Sequence, residues 1–287
     1  MDTKRKGYFS LAFYDVIESP GWVGKCALLA LILMVPVFGI IVVLGYLFGW
    51  ARDIAWHVHR PLPSRIFGNE DGSLYKRGAQ LLAIMVIYVV VAYIVQEILS
   101  LLILGNVAVL PFTFALNNGL VTLSFLSAIS KWGLYSLGSF VIACAFAVVS
   151  WIAMMRSSLY GTFTSAFQPA RLAELIKQDF PGLLKILGMA IIVSLMTGLI
   201  AVVISFAIVM LCGIITAVTS VTPLVVFAIF FVVAVIIAIV IVAFMTQVFT
   251  LAMVIRAMGY WFGQLNVAAW GSQDSPLPAR SAYASHG

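Results

Sequence analysis

Glu97 is the one carboxylate inside the long apolar runs of this 287-residue chain. An acid held among hydrocarbon is costly, and where it is kept it invites a proton-coupling role. Its position in the run argues for something simpler. Sixteen residues separate it from Leu81, about 24 Å of helix at 1.5 Å per residue. That sets Glu97 near the far edge of its run rather than in the middle. Lys131 falls on the same side, so we expect a structural Glu97–Lys131 pair, with transport as the alternative. Gln247 lies eight residues before Ile255, about 12 Å in from the run's end. We expect it to hydrogen-bond a neighbouring helix.

The densest group of reactive side chains is Gly45–Pro63, GYLFGWARDIAWHVHRPLP. His57 and His59 are two residues apart, which on a helix points them about 200° apart and away from a shared metal. Asp53, four residues before His57, is spaced to pair with it. Arg52 is spaced to lie over Trp56. Near the other end Gly259–Gly263 reads GYWFG. Trp50, Arg52, Trp56, Tyr260 and Trp261 read as anchors at a membrane–water interface. Cys26, Cys144 and Cys212 all sit in apolar stretches and read as small hydrophobes. No nucleotide-binding loop, triad spacing, paired carboxylates or zinc motif appears. We expect no catalytic, cofactor or metal site, and a non-enzymatic protein.

The elements that carry these residues follow from composition. The chain is 63% hydrophobic and 9% charged, with mean hydropathy +1.14, far from the half-apolar, quarter-charged balance of soluble domains. Runs at Leu81–Leu104, Trp132–Met155, Ile186–Leu211 and Pro223–Ile255 each exceed the roughly 20 residues a helix needs to cross the hydrocarbon core. Only helices and closed barrels satisfy the backbone in lipid, and these runs lack strand alternation, so the fold class is an all-α membrane bundle. A fifth run, Cys26–Trp50, carries Pro36 and Gly39 at its middle. It is either a kinked span or a re-entrant hairpin broken at the proline.

Charge separates the two. If Cys26–Trp50 dips in and returns, the Lys and Arg outside the runs divide fifteen to one between the sides; if it crosses, eleven to five. Positive residues stay cytoplasmic, which favours the hairpin, with both termini in the cytosol of a cell-membrane protein. The net charge of +6 thus reports topology rather than nucleic acid, for which no basic–aromatic pattern is present. The start, MDTKRKGYFSLAF, does not read as a cleaved signal.

Three islands recur in order: Phe9–Phe13 with Phe163–Phe167, Pro20–Gly21 with Pro181–Gly182, and Gly45–Gly49 with Gly259–Gly263. They suggest a degenerate internal repeat. Each unit opens on an amphipathic stretch. In Pro169–Phe180, Leu172, Leu175, Ile176 and Phe180 share one face and Arg171, Glu174, Lys177 and Gln178 the other, the pattern of an interfacial helix that Pro181 would end. Phe9, Phe13, Val16 and Ile17 make a shorter version.

The stretches GYLFGWARD…PLP and SLYGTFTSAFQPARLAELIK resemble an uncharacterised family of polytopic membrane proteins of bacteria and archaea, over roughly residues 10–265. Relatives carry a Trp-containing acidic segment after the Pro-rich stretch; here Phe67–Arg77 has the acids but no Trp. The resemblance implies the fold and supplies no activity. The expected organisation is an interfacial segment 1–25, a transmembrane domain 26–263 and a disordered polar tail 264–287. The partner is the lipid bilayer, with a membrane-protein partner or a second copy beside it.

Overall fold

The computed structural model describes residues 7–67, 72–104, 121–218, 224–275 and 277. Among them every regular element is a helix. In chain order these are α1 (Tyr8–Ile17), α2 (Trp22–Leu33), α3 (Phe38–Ala55), α4 (Leu74–Ile103), α5 (Val121–Tyr160), α6 (Pro169–Gln178), α7 (Phe180–Val218) and α8 (Leu224–Gly263). Short 3-10 turns lie at Thr164–Phe167 and Val267–Ala269.

Pro20–Gly21 makes the first corner. Gly21 takes φ +66°, a conformation that glycine adopts at no steric cost, and α1 meets α2 at 93°. Pro36 breaks the fifth apolar run as its position predicts: α2 stops at Leu33 and α3 starts at Phe38. The two are arms of a hairpin. Ser19, just before α2, accepts from the Leu62 N–H at 2.8 Å, and Lys25 Nζ donates to the Leu62 carbonyl at 2.6 Å. Leu62 belongs to a strap around Arg60–Pro63 that also meets the far part of α3, where Tyr46 donates to the Pro63 carbonyl and Trp50 Nε1 to that of Arg60. The head of α2 and the tail of α3 therefore sit at one end of the molecule, with the apolar tip Met34–Phe38 at the other end of the arms.

Among the described residues five helices are long and apolar enough to cross a membrane, α3 among them. Burial sets α3 apart. Its apolar window is 72% buried, against 11–22% in the other four, because α2, α4, α5 and α8 all pack on it. The other long helices run well past their apolar segments. α5 and α8 have 40 residues each and α7 has 39, about 60 Å, or twice the roughly 30 Å of hydrocarbon. Their excess forms a packed base with α1, the strap, α6 and the chain after α8. In α8 the buried residues run from Val248 to Gly263, and in α5 from Ser150 to Ser158. Away from the base α4 lies along α5 and α7 along α8, showing exposed Leu, Val and Ile side chains.

The amphipathic helix is shorter than its pattern. Phe180 and Pro181 open α7 instead of closing α6, since proline is at home in a first helical turn. Asp179 caps the new helix, its Oδ1 accepting from the Gly182 N–H at 3.2 Å. Phe180 is consequently exposed and does not share the face of Leu172 and Leu175.

The hairpin makes a topology testable. In a chain with its cysteines replaced, Gly7→Cys and Ser64→Cys should react with a membrane-impermeant thiol reagent from one and the same side, and Lys131→Cys only from the other. Labelling of Gly7→Cys and Ser64→Cys from opposite sides would mean that the α2–α3 segment crosses.

Candidate functional site

The base is held by buried cations. Arg256, in an otherwise apolar part of α8, is 1% exposed. Its Nε donates to Asp15 Oδ2 of α1 at 2.6 Å, Nη1 to the Trp50 carbonyl at 2.8 Å and Nη2 to the Arg60 carbonyl at 3.3 Å. The guanidinium carbon lies 4.1 Å from the Trp50 ring centre and 5.5 Å from that of Tyr260. Tyr260 donates to the same Asp15 oxygen at 2.7 Å. One guanidinium fork thus ties α1, α3, α8 and the strap, using the planar geometry and stacking that lysine lacks.

Arg156 repeats the device on α5. Its Nε donates to the Ser165 carbonyl at 3.2 Å, and its Nη2 to Gln168 Oε1 at 2.7 Å and to the Gln273 carbonyl at 3.2 Å, with the Tyr160 ring 5.4 Å away. Arg77, also buried, bonds Ser73 Oγ and the Gly45 carbonyl. Asp179 is a fourth node. Besides capping α7 it accepts from Trp261 Nε1 at 3.0 Å and from Tyr8 OH at 3.4 Å.

The segment after α8 is docked where composition predicts a disordered tail from residue 264. Thr162 donates to Gln273 Oε1, Gln168 Nε2 to Asp274 Oδ1, and Arg171 to the Asp274 carbonyl at 2.8 Å. Leu265 and Val267 are buried, and Trp270 packs between Tyr160 and Phe262. The polar residues that suggest a loose tail are the acceptors that the arginines use. Pro276 and residues 278–287 lie outside the described part.

The anticipated site residues do not converge. Trp50 and Trp261 are 1% and 0% exposed; both are core side chains whose indole N–H groups are bonded internally, not interface anchors. Tyr260 is half-buried and committed to Asp15. Trp56 is 45% exposed. Arg52 has Asp53 as a carboxylate neighbour, at 3.8 Å. Among the described residues no ion pair joins His57 to Asp53; His57 holds φ +60° as the helix-ending residue of α3. Its N–H donates to the Ile54 carbonyl, and the Val58 N–H donates to that of Asp53, the Schellman pattern that usually carries glycine. Glu97 is exposed, with the Tyr93 hydroxyl as its hydrogen-bonding neighbour. Among the described residues no ion pair joins it to Lys131. Gln247 points outward from α8 rather than into a neighbouring helix.

Sequence reasoning counted Arg156 and Arg256 only as topology charges. A sharper signal was present in both. Each is a lone arginine at the end of an apolar run with a tyrosine four residues on, Arg156–Tyr160 and Arg256–Tyr260, the spacing that stacks the two on a helix.

One cleft opens sideways just below the base. Its volume is about 440 Å³, between α4, α5, the 3-10 turn and α6, with Tyr88, Phe146, Phe167, Leu172 and Ile176 among its walls. Tyr88 stacks flat on Phe167 at 5.9 Å and donates to the Ala166 carbonyl at 2.9 Å. That bond fixes the 3-10 turn to α4 and uses the tyrosine's hydroxyl. The mouth residues Ile87 and Val91 are 41% and 42% exposed.

A base packed by internal arginines, carrying helices with bare apolar flanks, defines a multi-pass, all-helical integral membrane protein. Residues 28–206 match the model of DUF4013, a protein of unknown function, and the chain belongs to that family. The match runs from α2 into α7 and includes the whole cleft, while Asp15 and Arg256 lie outside it. No curated protein and no solved structure matches the chain.

Proposed function

We propose that this protein is a non-enzymatic membrane module that organises the lipid around it. It sits in the cell membrane with both termini in the cytosol. The observation that carries this reading is the chemistry of the cleft: it is walled by apolar side chains, and the Tyr88 hydroxyl in its wall is already bonded to backbone. Small-molecule sites use a few convergent polar groups to orient a ligand. Transporters place them at the midplane beside broken helices. Here Glu97 and Gln247 face outward, and the buried arginines are spent on the base. The charge division of fifteen to one supports the cytosolic base.

The competing reading is a proton-coupled transporter using Glu97. Purified protein in sealed vesicles under an imposed pH gradient should leak protons no faster than empty vesicles, and Glu97→Gln should change nothing. A flux that appears with the protein and disappears with Glu97→Gln would replace the module with a transporter.

A further inference from the structure

We infer that the cleft between α4, α5 and α6 seats one acyl chain of an anionic membrane phospholipid, with the phosphate headgroup at Lys177. The inference rests on the membrane-module reading and gives it a ligand. A volume of about 440 Å³ lies within the roughly 300–1,000 Å³ of specific ligand sites. The occupant must be apolar along its length, because the walls offer it no free hydroxyl or amide. It must also arrive from the side, because Ile87 and Val91 at the mouth are continuous with the exposed apolar flank of α4.

The headgroup end follows from α6. This helix turns Leu172 and Ile176 into the cleft, and its polar residues Arg171 and Glu174 are occupied by each other and by the segment beyond α8. Ala173 lines the cleft and is exposed. One turn further along the same stripe stands Lys177, also exposed. Among the described residues Lys177 has no ion pair. A single unpaired ammonium at the rim of an apolar slot, on a helix lying where headgroups lie, complements a phosphate whose chain runs down the slot.

The test uses the full chain in phosphatidylcholine vesicles doped with a phosphatidylglycerol that carries a photoactivatable diazirine on its acyl chain. Crosslinks should concentrate on Ile87, Val91, Ala173 and Ile176. Ala173→Trp, which fills the slot from an exposed position, should lower that labelling about fivefold while leaving labelling of the exposed Leu195 region of α7 unchanged. Val91→Trp from the opposite wall should do the same, and the α7 signal checks that either variant is folded. Lys177→Gln should keep the chain in the slot but cut the preference for phosphatidylglycerol over an equally labelled phosphatidylcholine by about fivefold, the worth of one lysine near an anionic surface. Equal labelling of slot and α7 flank, or slot labelling untouched by both tryptophans, overturns the site. Labelling by a free diazirine fatty acid that matches the phospholipid and ignores Lys177 overturns the phospholipid assignment. Proton flux in the same vesicles separates the two levels. A lost slot signal without flux removes the site alone, whereas flux removes the module.

Discussion

Arg256→Met should cost about 3–5 kcal/mol of stability, the range for removing one partner of a buried ion pair. The size follows from what the guanidinium leaves behind. Asp15 loses its cation, the Trp50 and Arg60 carbonyls lose a donor each, and Tyr260 keeps a bond to a carboxylate that is no longer neutralised. Arg256→Lys should recover only part of this, since an ammonium restores charge but not the fork or the stacking on Trp50. The double replacement Arg256→Met with Asp15→Asn should be milder than the sum of the single changes, because it removes the orphaned carboxylate as well. Unfolding in mixed detergent, followed by near-UV circular dichroism of the buried tryptophans, reads all of them. Additive effects would show that the pair does not operate.

Gly78→Val should be comparably severe for a different reason. α3 and α4 approach backbone to backbone at Gly45 and Gly78. A Cβ on Gly78 would run into the Ile41 carbonyl, and one on Gly45 into that of Leu74. Small residues allow such contacts between membrane helices, and dispersion over the closely packed surface is what holds them. Even Gly78→Ala must push α4 off α3, the most buried of the five candidate spans, at about 1–3 kcal/mol, and valine adds two methyl groups to the collision. Gly133→Ala in α5, where nothing lies within 4 Å, is the control and should be neutral or slightly stabilising. Loss of monodispersity on size-exclusion chromatography, with lowered melting in detergent, would record the effect. Indifference to Gly78→Val would show that the helices do not cross there.

The fold was largely legible because lipid imposes a simple rule on sequence: long apolar runs become helices, and a proline at the middle of one becomes a break. Hence the four long runs and the broken α2–α3 segment were readable. The base was not, because its logic is long-range. Trp50 and Trp261 carry the composition of interface anchors, yet α3 is enclosed on several sides, and nothing local to GYLFGW announces that. The Glu97–Lys131 pair failed because placing two residues on one side of a membrane does not bring two helix faces together. The residues after α8 misled for the opposite reason: Gln273 and Asp274 look like linker residues, and only Arg156, Gln168 and Arg171, more than 100 positions earlier, make them ordered. His57 shows the limit of chemical reading. The imidazole drew attention, whereas the fold uses that residue's backbone.

The ion pair between Asp15 and Arg256 also sets a clock on biogenesis. The two residues are 241 positions apart, and a ribosome adds about 5–20 residues per second. For tens of seconds after α1 emerges its carboxylate has no guanidinium to meet, and all of the long helices must be threaded into the bilayer before one arrives. Tyr8 meets Asp179 171 positions on, and Gln264 only 256 positions on. The α1 helix is therefore made long before α8 and is fixed only when α8 closes over it.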